Sequence, residues 1–486
     1  MPLRSSDIHD FLTCTLFIVY EVQLLIFNIQ LLLTDSIQWR ICIAMVHMLA
    51  QLHHYAGHIL NTSSLISFFC VLPILTILYN LYSSQKTRPR GCRSLGVPPG
   101  QSHLHDEFDP KYTQGVPEGQ NEANGQPAWR IKALFTYPIK SCAGVELDVA
   151  NVVPTGLEYD RHFCFAEYVA PKQQSNDDKD MPRWTARTLR DAKFNRMALI
   201  RSEIWVPDAT ARDYAPELDE VKSQGVMVVS YPRVLPSNPV LSLLVRIGTM
   251  LRVVYQEHSF QVPLSPPPDH MASYPSLPVK IWKDSPKAYD YGQHIPRSLR
   301  EYLGSGPDSP STRLTLFRVN PSHHREIFRN APRKDELGFQ PVTGFADAYP
   351  IHLLNLASVH DVAARCAADT PRLSIRRFRA NIITQGPEAF AEDHWKRVMV
   401  GGVEVHTVCR TVRCRLPNVD PDTGIRHPSE PDRTLKSYRR IDRGELNYAC
   451  LGMQLVPSVQ REFLPPSFFL SSLLILFGGR IHYFSE

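Results

Sequence analysis

The segment Arg413–Gly424 reads R-C-R-L-P-N-V-D-P-D-T-G, a cysteine between two arginines followed by an acidic, turn-rich stretch. Two adjacent cations favour the thiolate, which is both the nucleophilic form of the side chain and a soft ligand for transition metals. Cys414 is thus a candidate nucleophile or metal ligand, and a buried structural thiol is the plain alternative, since free cysteine is among the most buried residue types. Asp420 and Asp422 fit turn formation better than acid–base work. No Walker A loop, G-x-G-x-x-G, H-E-x-x-H or G-x-S-x-G occurs, so ATP, NAD and serine-hydrolase chemistry has no positive support. The ten cysteines include no C-x-x-C pair and argue for free thiols in a reducing compartment. His54 and His58 share one helical face, but no acid or third ligand stands near them, and they read as solvated or interfacial rather than metal-binding.

The elements that must position Cys414 lie within 486 residues, enough for two or three globular units. A net charge of +5 is too small an excess to suggest a nucleic-acid partner. From Leu65 to Tyr82 the chain runs 18 residues without a charge, about the length that crosses a hydrocarbon core as a helix. Lys86, Arg88, Arg90 and Arg93 follow and bias the downstream side toward the cytoplasm. Phe11 to Leu33 is also apolar but carries Glu21, Gln23, Asn28 and Gln30, and fits a second span, an interfacial helix or a targeting sequence.

Residues 83–128 are rich in Ser, Gln, Gly, Pro and charge, the composition of a flexible tether. The globular part then opens on alternating apolar residues, Ile131, Ala133, Phe135 and Tyr137, then Val145, Leu147 and Val149, then Phe163 and Phe165, which read as half-buried strands. Residues 226–231, 251–256 and 279–282 continue the strand pattern, with a short helix over Arg297–Leu303. The first unit is therefore mainly β, and a barrel-like sheet is its natural closure. Pro263–Pro278, Ser305–Ser311 and residues 323–338 read as surface insertions. In the second unit, Ser358 followed by Asp361 resembles a capping box opening a helix, and residues 398–408 read as a hairpin turning at Gly401 and Gly402 that delivers Cys409 and Cys414 at or beyond its second strand.

Six ordered segments carry a resemblance: YPIKSCAGVEL (137–147), GLEYDRHF (156–163), FRANIIT (378–384), AFAEDHWKRVMVGG (389–402), the Cys414 segment and TLKSYRR (434–440). In order and spacing they resemble the MOSC family, most closely the amidoxime-reducing components, over roughly 129–457. The resemblance implies a mainly β chain with α+β character: an N-terminal MOSC β-barrel domain (129–312), a linker or insertion (313–343) and a C-terminal, barrel-like MOSC domain (344–460). An uncertain apolar extension (1–64), the transmembrane anchor (65–82) and the tether (83–128) precede them.

The resemblance also implies a molybdenum–molybdopterin cofactor, with Cys414 as metal ligand and Asp347 as an acidic residue near the metal. Lys140 and Ser141, Arg161 and Arg379 fall where the family binds the cofactor's anionic tail and pterin. Asn381 and Arg413 fall beside them, and Thr185 and Arg187 resemble a further pterin-side element. Cys409 is expected to be structural. The implied activity is reduction of N-hydroxylated small molecules such as amidoximes, with electrons from a cytochrome b5 and its NADH-dependent reductase, on a mitochondrial outer or endoplasmic reticulum membrane. The alternative is a cofactor-binding or sulfur-carrying module similar to the C-terminal part of molybdenum cofactor sulfurases. The pyridoxal-phosphate half of those enzymes would need a further domain upstream, where this chain has a tether and an anchor, so the reductase is the expectation.

Two departures stand out. Ala348 and Tyr349 follow Asp347 where animal relatives have small hydroxyl residues, so hydrogen bonding on the substrate side should differ. Residues 461–486 end in an apolar run after two prolines, which fits a substitute strand, a lipid-touching segment or translated intron, the last being the expectation.

Overall fold

The computed structural model describes residues 88–169, 182–236, 238–250, 254–304, 314–458 and 474–484. The anchor stretch 65–82 and the apolar extension before it, with His54 and His58, lie outside the described residues. Among the described residues no helix is long and apolar enough to cross a membrane. The chain divides into two compact units, one of Pro89–Arg233 with Glu257–Glu486 and one that includes Val234–Gln256.

The larger unit is built on an eight-stranded sheet in the order Ile481–Phe484, Arg397–Val400, Val403–Arg413, Ala449–Pro457, Ile351–Asn355, Ile382–Gln385, Arg130–Thr136, Val145–Leu147. Only the pair Ile351–Asn355 and Ile382–Gln385 is parallel, and helix Leu356–Arg365 makes the crossover that a parallel pair requires. The strand Arg130–Thr136 is buried on both faces rather than half-buried: Ala133 and Phe135 pack on the helix side, Ile131 and Leu134 on the other. Alternation there reports two different apolar neighbourhoods, not a wet and a dry face.

A closed barrel of five strands stands beside this sheet: Ser276–Lys280, Lys287–Asp290, Leu314–Val319, Phe163–Val169 and Arg183–Ala186. Cys164, Ala166, Ala288, Phe317 and Phe345 pack within its core, the small side chains fitting a narrow barrel. A four-stranded sheet of Cys92–Leu95, Arg201–Pro207, Val226–Pro232 and Glu257–Pro263 belongs to the same unit, with two smaller sheets.

Several expectations are corrected. The strands Arg130–Thr136 and Val145–Leu147 belong to the sheet built mainly from residues 351–457, so the division at 312 and 344 does not follow the hydrogen bonding. The tether is folded from Pro89 onward: Cys92–Leu95 pairs with Arg201–Pro207, and Leu104 and Tyr112 enter the core beneath helix Leu356–Arg365. Its buried Glu107 accepts hydrogen bonds from Ser374 Oγ (2.9 Å) and Ile375 N (2.9 Å). Composition hid this because much of what docks the segment is polar.

Of the strand expected over residues 251–256, 251–253 lie outside the described residues and 254–256 are irregular; the strand Glu257–Pro263 follows them. The helix opens one turn earlier than the capping box suggested. Asn355 caps it by accepting from Ala357 N, Ser358 turns inward to Glu392, and Asp361 pairs with Arg365. The hairpin at Gly401 and Gly402 is present, both residues having the positive φ that a tight two-residue turn requires.

The C-terminal tail takes the substitute-strand form. Leu474–Leu476 pairs with Val149–Asn151, and Ile481–Phe484 pairs with Arg397–Val400. Between them Ile131 N donates to Gly479 O (3.0 Å) and Gly478 N to Ile131 O (3.0 Å), so the tail carries the sheet back to its own strand Arg130–Thr136 and makes it barrel-like. Ile475 and Ile481 are buried in this closure. Ile481→Ala should therefore lower the unfolding free energy by about 2–4 kcal/mol in urea titration. A change below about 0.5 kcal/mol, the level of an ordinary surface substitution, would mean that the tail does not seal the core.

Candidate functional site

Four chain reversals at strand and helix ends converge on one cavity of about 340 Å³. Lys140 and Ser141 follow strand Arg130–Thr136, Arg161 ends the turn after Gly156–Leu157, Arg379 and Asn381 lie between the 3-10 turn Ile375–Phe378 and strand Ile382–Gln385, and Cys414 follows strand Val403–Arg413. Of the eight non-glycine residues with positive φ among the described residues, four line this cavity: Ser141 (68°), Arg161 (51°), Trp282 (52°) and Arg379 (56°). Left-handed backbone at non-glycine residues is costly and persists where surrounding contacts enforce it, as functional sites do.

The enforcing contacts centre on Asn381, which is fully buried. Its Oδ1 accepts from Arg161 Nη1 (3.1 Å) and from His352 N (3.1 Å). Its Nδ2 donates to Phe135 O (3.1 Å) and to Asp160 Oδ1 (2.9 Å). Asp160, also buried, accepts from Tyr137 N (2.8 Å) and from the Arg161 guanidinium. Burial opposes the charge on Arg161 and the Asp160 carboxylate outweighs it, so its pKa moves up. Asn381 therefore braces the site with all its polar atoms and leaves none for a ligand.

Arg379 has a different role. Its Nη1 donates to Cys142 O, its guanidinium lies 4.3 Å from the Tyr137 ring centroid, and its Nη2 is buried without a hydrogen-bond partner. Burial lowers its pKa to about 10, still a cation at neutral pH. An orphaned guanidinium nitrogen within the site is a built-in seat for an anionic or carbonyl oxygen. A second cavity of about 540 Å³ shares Arg379 and Leu416 with the first.

Near the loop Ile281–Asp284, buried Lys140 donates to Phe345 O (2.9 Å) and to Asp347 Oδ1 (2.5 Å). Desolvation pulls the Lys140 pKa down against this pairing. Desolvation in the cleft would raise Asp347, but the Lys140 ammonium prevails and holds the half-exposed carboxyl below its usual range. Trp282 Nε1 donates to the same Asp347 oxygen (3.3 Å), with the Arg190 guanidinium 4.2 Å from its ring centroid.

Arg413 is buried and its pKa is lowered by burial to about 9. Its guanidinium donates to Leu451 O, Phe378 O and His352 Nε2 (2.5 Å for the last), which makes that ring nitrogen an acceptor and keeps the buried imidazole neutral. Arg415 is mostly exposed and lies 3.5 Å from Asp432. The two arginines that flank Cys414 in sequence are thus both engaged with other partners.

Cys414 lines the cavity with Asp347, Lys140, Ser141, Arg161, Arg379, Asn381 and Arg413. Arg187 does not line it: its Nε donates to Glu167 Oε2 (2.9 Å) and it lies over Phe194. A residue on the neighbouring strand, Glu167, satisfies its charge. Cys409, expected to be structural, does line the cavity, and burial raises its thiol pKa. Sequence reasoning missed Trp282, Arg190 and His352. Trp282 sits in a stretch without a matched motif, and only its left-handed backbone in the structure marks it. Among the described residues no cluster of three or more His, Cys, Asp or Glu could hold a metal ion.

Behind the cavity, Arg410 Nη2 donates to Asp393 O (3.1 Å), next to the fully buried Glu392. Ser358 Oγ lies 2.8 and 2.9 Å from the two Glu392 oxygens and accepts from Phe390 N (2.7 Å). Burial lifts the Glu392 pKa from 4.5 to about 7. A raised carboxyl pKa means that the folded state keeps a proton which the unfolded chain releases, so stability falls as pH rises from 4.5 to about 7. Glu392→Gln should remove up to about 3 kcal/mol of that fall, since one unit is about 1.36 kcal/mol. Parallel stability–pH curves for parent and variant in denaturant titrations would refute the assignment.

The sequence model of the MOSC domain matches residues 340–452, and that of the MOSC N-terminal beta barrel domain matches 128–213. Mitochondrial amidoxime-reducing component 1 of Mus musculus is 26% identical over 322 residues, 66% of this chain and 74% of the relative. Mitochondrial amidoxime reducing component 2 of Bos taurus is 39% identical over 330 residues, 66% of this chain and 75% of the relative. That of Rattus norvegicus is 44% identical over 156 residues, 32% of this chain and 44% of the relative. With both domain matches in the expected order and a relative covered over three quarters of its length, the chain belongs to the MOSC-domain family of the amidoxime-reducing components.

Proposed function

We propose that this protein is a molybdenum-cofactor oxidoreductase that reduces N-hydroxylated small molecules of the amidoxime type. The observation that carries the reading is the Cys414 thiol in a cavity ringed by buried cations, one of which, Arg379, has an unpartnered nitrogen. That is the donor set a phosphate-bearing pterin dithiolene calls for: one soft protein ligand, Cys414, and N–H donors for an anion, Arg379, Ser141 and Lys140. The residues present fit the group. When bound, it supplies the electron transfer that cleaves an N–O bond, an amidoxime taking up two electrons and two protons to give an amidine and water.

The chain's own residues would do the binding and orienting. Asp347, kept ionised by Lys140, can accept hydrogen bonds from the substrate's amino group and then pair with the amidinium product, which is more basic than the amidoxime. The desolvated Lys140 ammonium is the adjacent proton-bearing group. Trp282 and Tyr349 give the cavity aromatic lining on the Asp347 side. Tyr349 OH donates to Arg329 O (2.8 Å). Electrons would arrive from a cytochrome b5-type partner, and residues 65–82 would anchor the chain in a membrane, both by analogy with the relatives' family.

The test is molybdenum content of the full chain, made in a host that synthesises the cofactor, beside Cys414→Ala. Near-stoichiometric metal in the parent is expected, with benzamidoxime reduction lowered roughly a hundredfold or more in the variant. A folded parent without molybdenum would demote the protein to a module that handles cofactor or sulfur without turnover.

A further inference from the structure

The segment Val234–Gln256 lies between the two matched domains and falls outside the compact unit that holds the site. Its helix Pro239–Met250 spans 12 residues. Val240, Leu243, Ile247 and Met250 recur every three or four positions and are all exposed, Met250 by 80% and Val240 by 60%. At 3.6 residues per turn they form one stripe, whereas Val245, on the opposite side, is buried. Val234, Leu235 and Tyr255 add exposed apolar surface at the two ends of the segment. Contiguous exposed apolar surface of this kind marks an interaction site.

Charge and length select the partner. Between Val234 and Gln256 there is no Asp or Glu, and the charged residues are Arg246 and Arg252. Arg246 is exposed beside the stripe, placed to reach an anionic headgroup while its stem lies on apolar surface. Twelve residues rise about 18 Å, too short to cross a bilayer, which leaves an orientation in the plane of the interface. In sequence, the uncharged stretch 65–82 is followed by the start of a basic flank, Lys86 and Arg88.

We propose that helix Pro239–Met250 is a second membrane contact, lying in the headgroup region of an anionic bilayer with Val240, Leu243, Ile247 and Met250 toward the acyl chains. It rests on the anchored reading of residues 65–82 but not on the catalytic one. The test reconstitutes the full chain in phosphatidylcholine vesicles with or without phosphatidylserine, each containing a lipid with a photoreactive acyl chain, and maps adducts by mass spectrometry. Adducts are expected in both the 65–82 and 239–250 peptides, the latter higher with phosphatidylserine. In L243E/I247E the helix adducts should fall roughly tenfold while those in 65–82 stay constant, which shows that the variant is still inserted. Adducts in 65–82 alone would overturn the proposal, and so would cross-linking that places another part of this chain or a second copy over the stripe. Adducts in neither peptide would overturn the anchored reading with it.

Discussion

The site depends on one buried carboxamide. Asn381 accepts from Arg161 and the His352 backbone and donates to Asp160 and the Phe135 backbone, so it ties strands Arg130–Thr136, Ile351–Asn355 and Ile382–Gln385 to the turn that carries Arg161. Every polar atom of Asn381 is used, and each bond also satisfies a partner that would be costly to bury alone. The knot holds Arg161 in left-handed backbone, and Arg161 Nη2 in turn donates to the carbonyl of Arg379, itself left-handed (3.1 Å). Cations that would repel one another are thus fixed around one cavity by neutral and acidic groups behind them, and the Arg379 nitrogen left over is directed by the scaffold rather than free to find water.

A second constraint is closure. The eight-stranded sheet that carries Lys140, Asn381, Arg413 and Cys414 has the short strand Ile481–Phe484 at one edge, and backbone bonds between Gly478–Gly479 and Ile131 carry that edge back to Arg130–Thr136. An open edge there would leave polar backbone exposed beside a strand buried on both faces. The folded segment from Pro89 to Ala128 acts similarly on the other side, where Glu107 satisfies Ser374 and Ile375 at the turn that leads into Arg379.

Much of this was legible in the sequence. The hairpin at Gly401 and Gly402, the barrel-type strands and the gathering of Lys140, Ser141, Arg161, Asp347, Arg379, Asn381, Arg413 and Cys414 follow from ordered motifs whose spacing survives the insertions. What was not legible has physical reasons. The segment after Pro89 docks largely through ion pairs and hydrogen bonds such as Lys132 to Asp106 (2.6 Å), which leave no apolar periodicity. The arginines flanking Cys414 diverge because the strand ends at Arg413, whose buried guanidinium turns to the Leu451 and Phe378 carbonyls, whereas Arg415 lies in the following turn beside Asp432. Arg187 was drawn away by Glu167, a partner 20 positions earlier on the neighbouring strand. Trp282 carries no signature of its own, and only tertiary structure brings it to Asp347.

The central claim is that Asn381 acts through the geometry it imposes and not through contact with a ligand. The direct measurement is molybdopterin content per chain in Asn381→Ser, purified beside the parent from a host that supplies the cofactor, with a thermal unfolding trace for each. The account predicts a variant that still unfolds cooperatively but holds roughly tenfold less cofactor, the scale expected when a supporting residue behind the ligands is lost. Parental cofactor content in a variant whose Arg161 and Arg379 have lost their brace would contradict it.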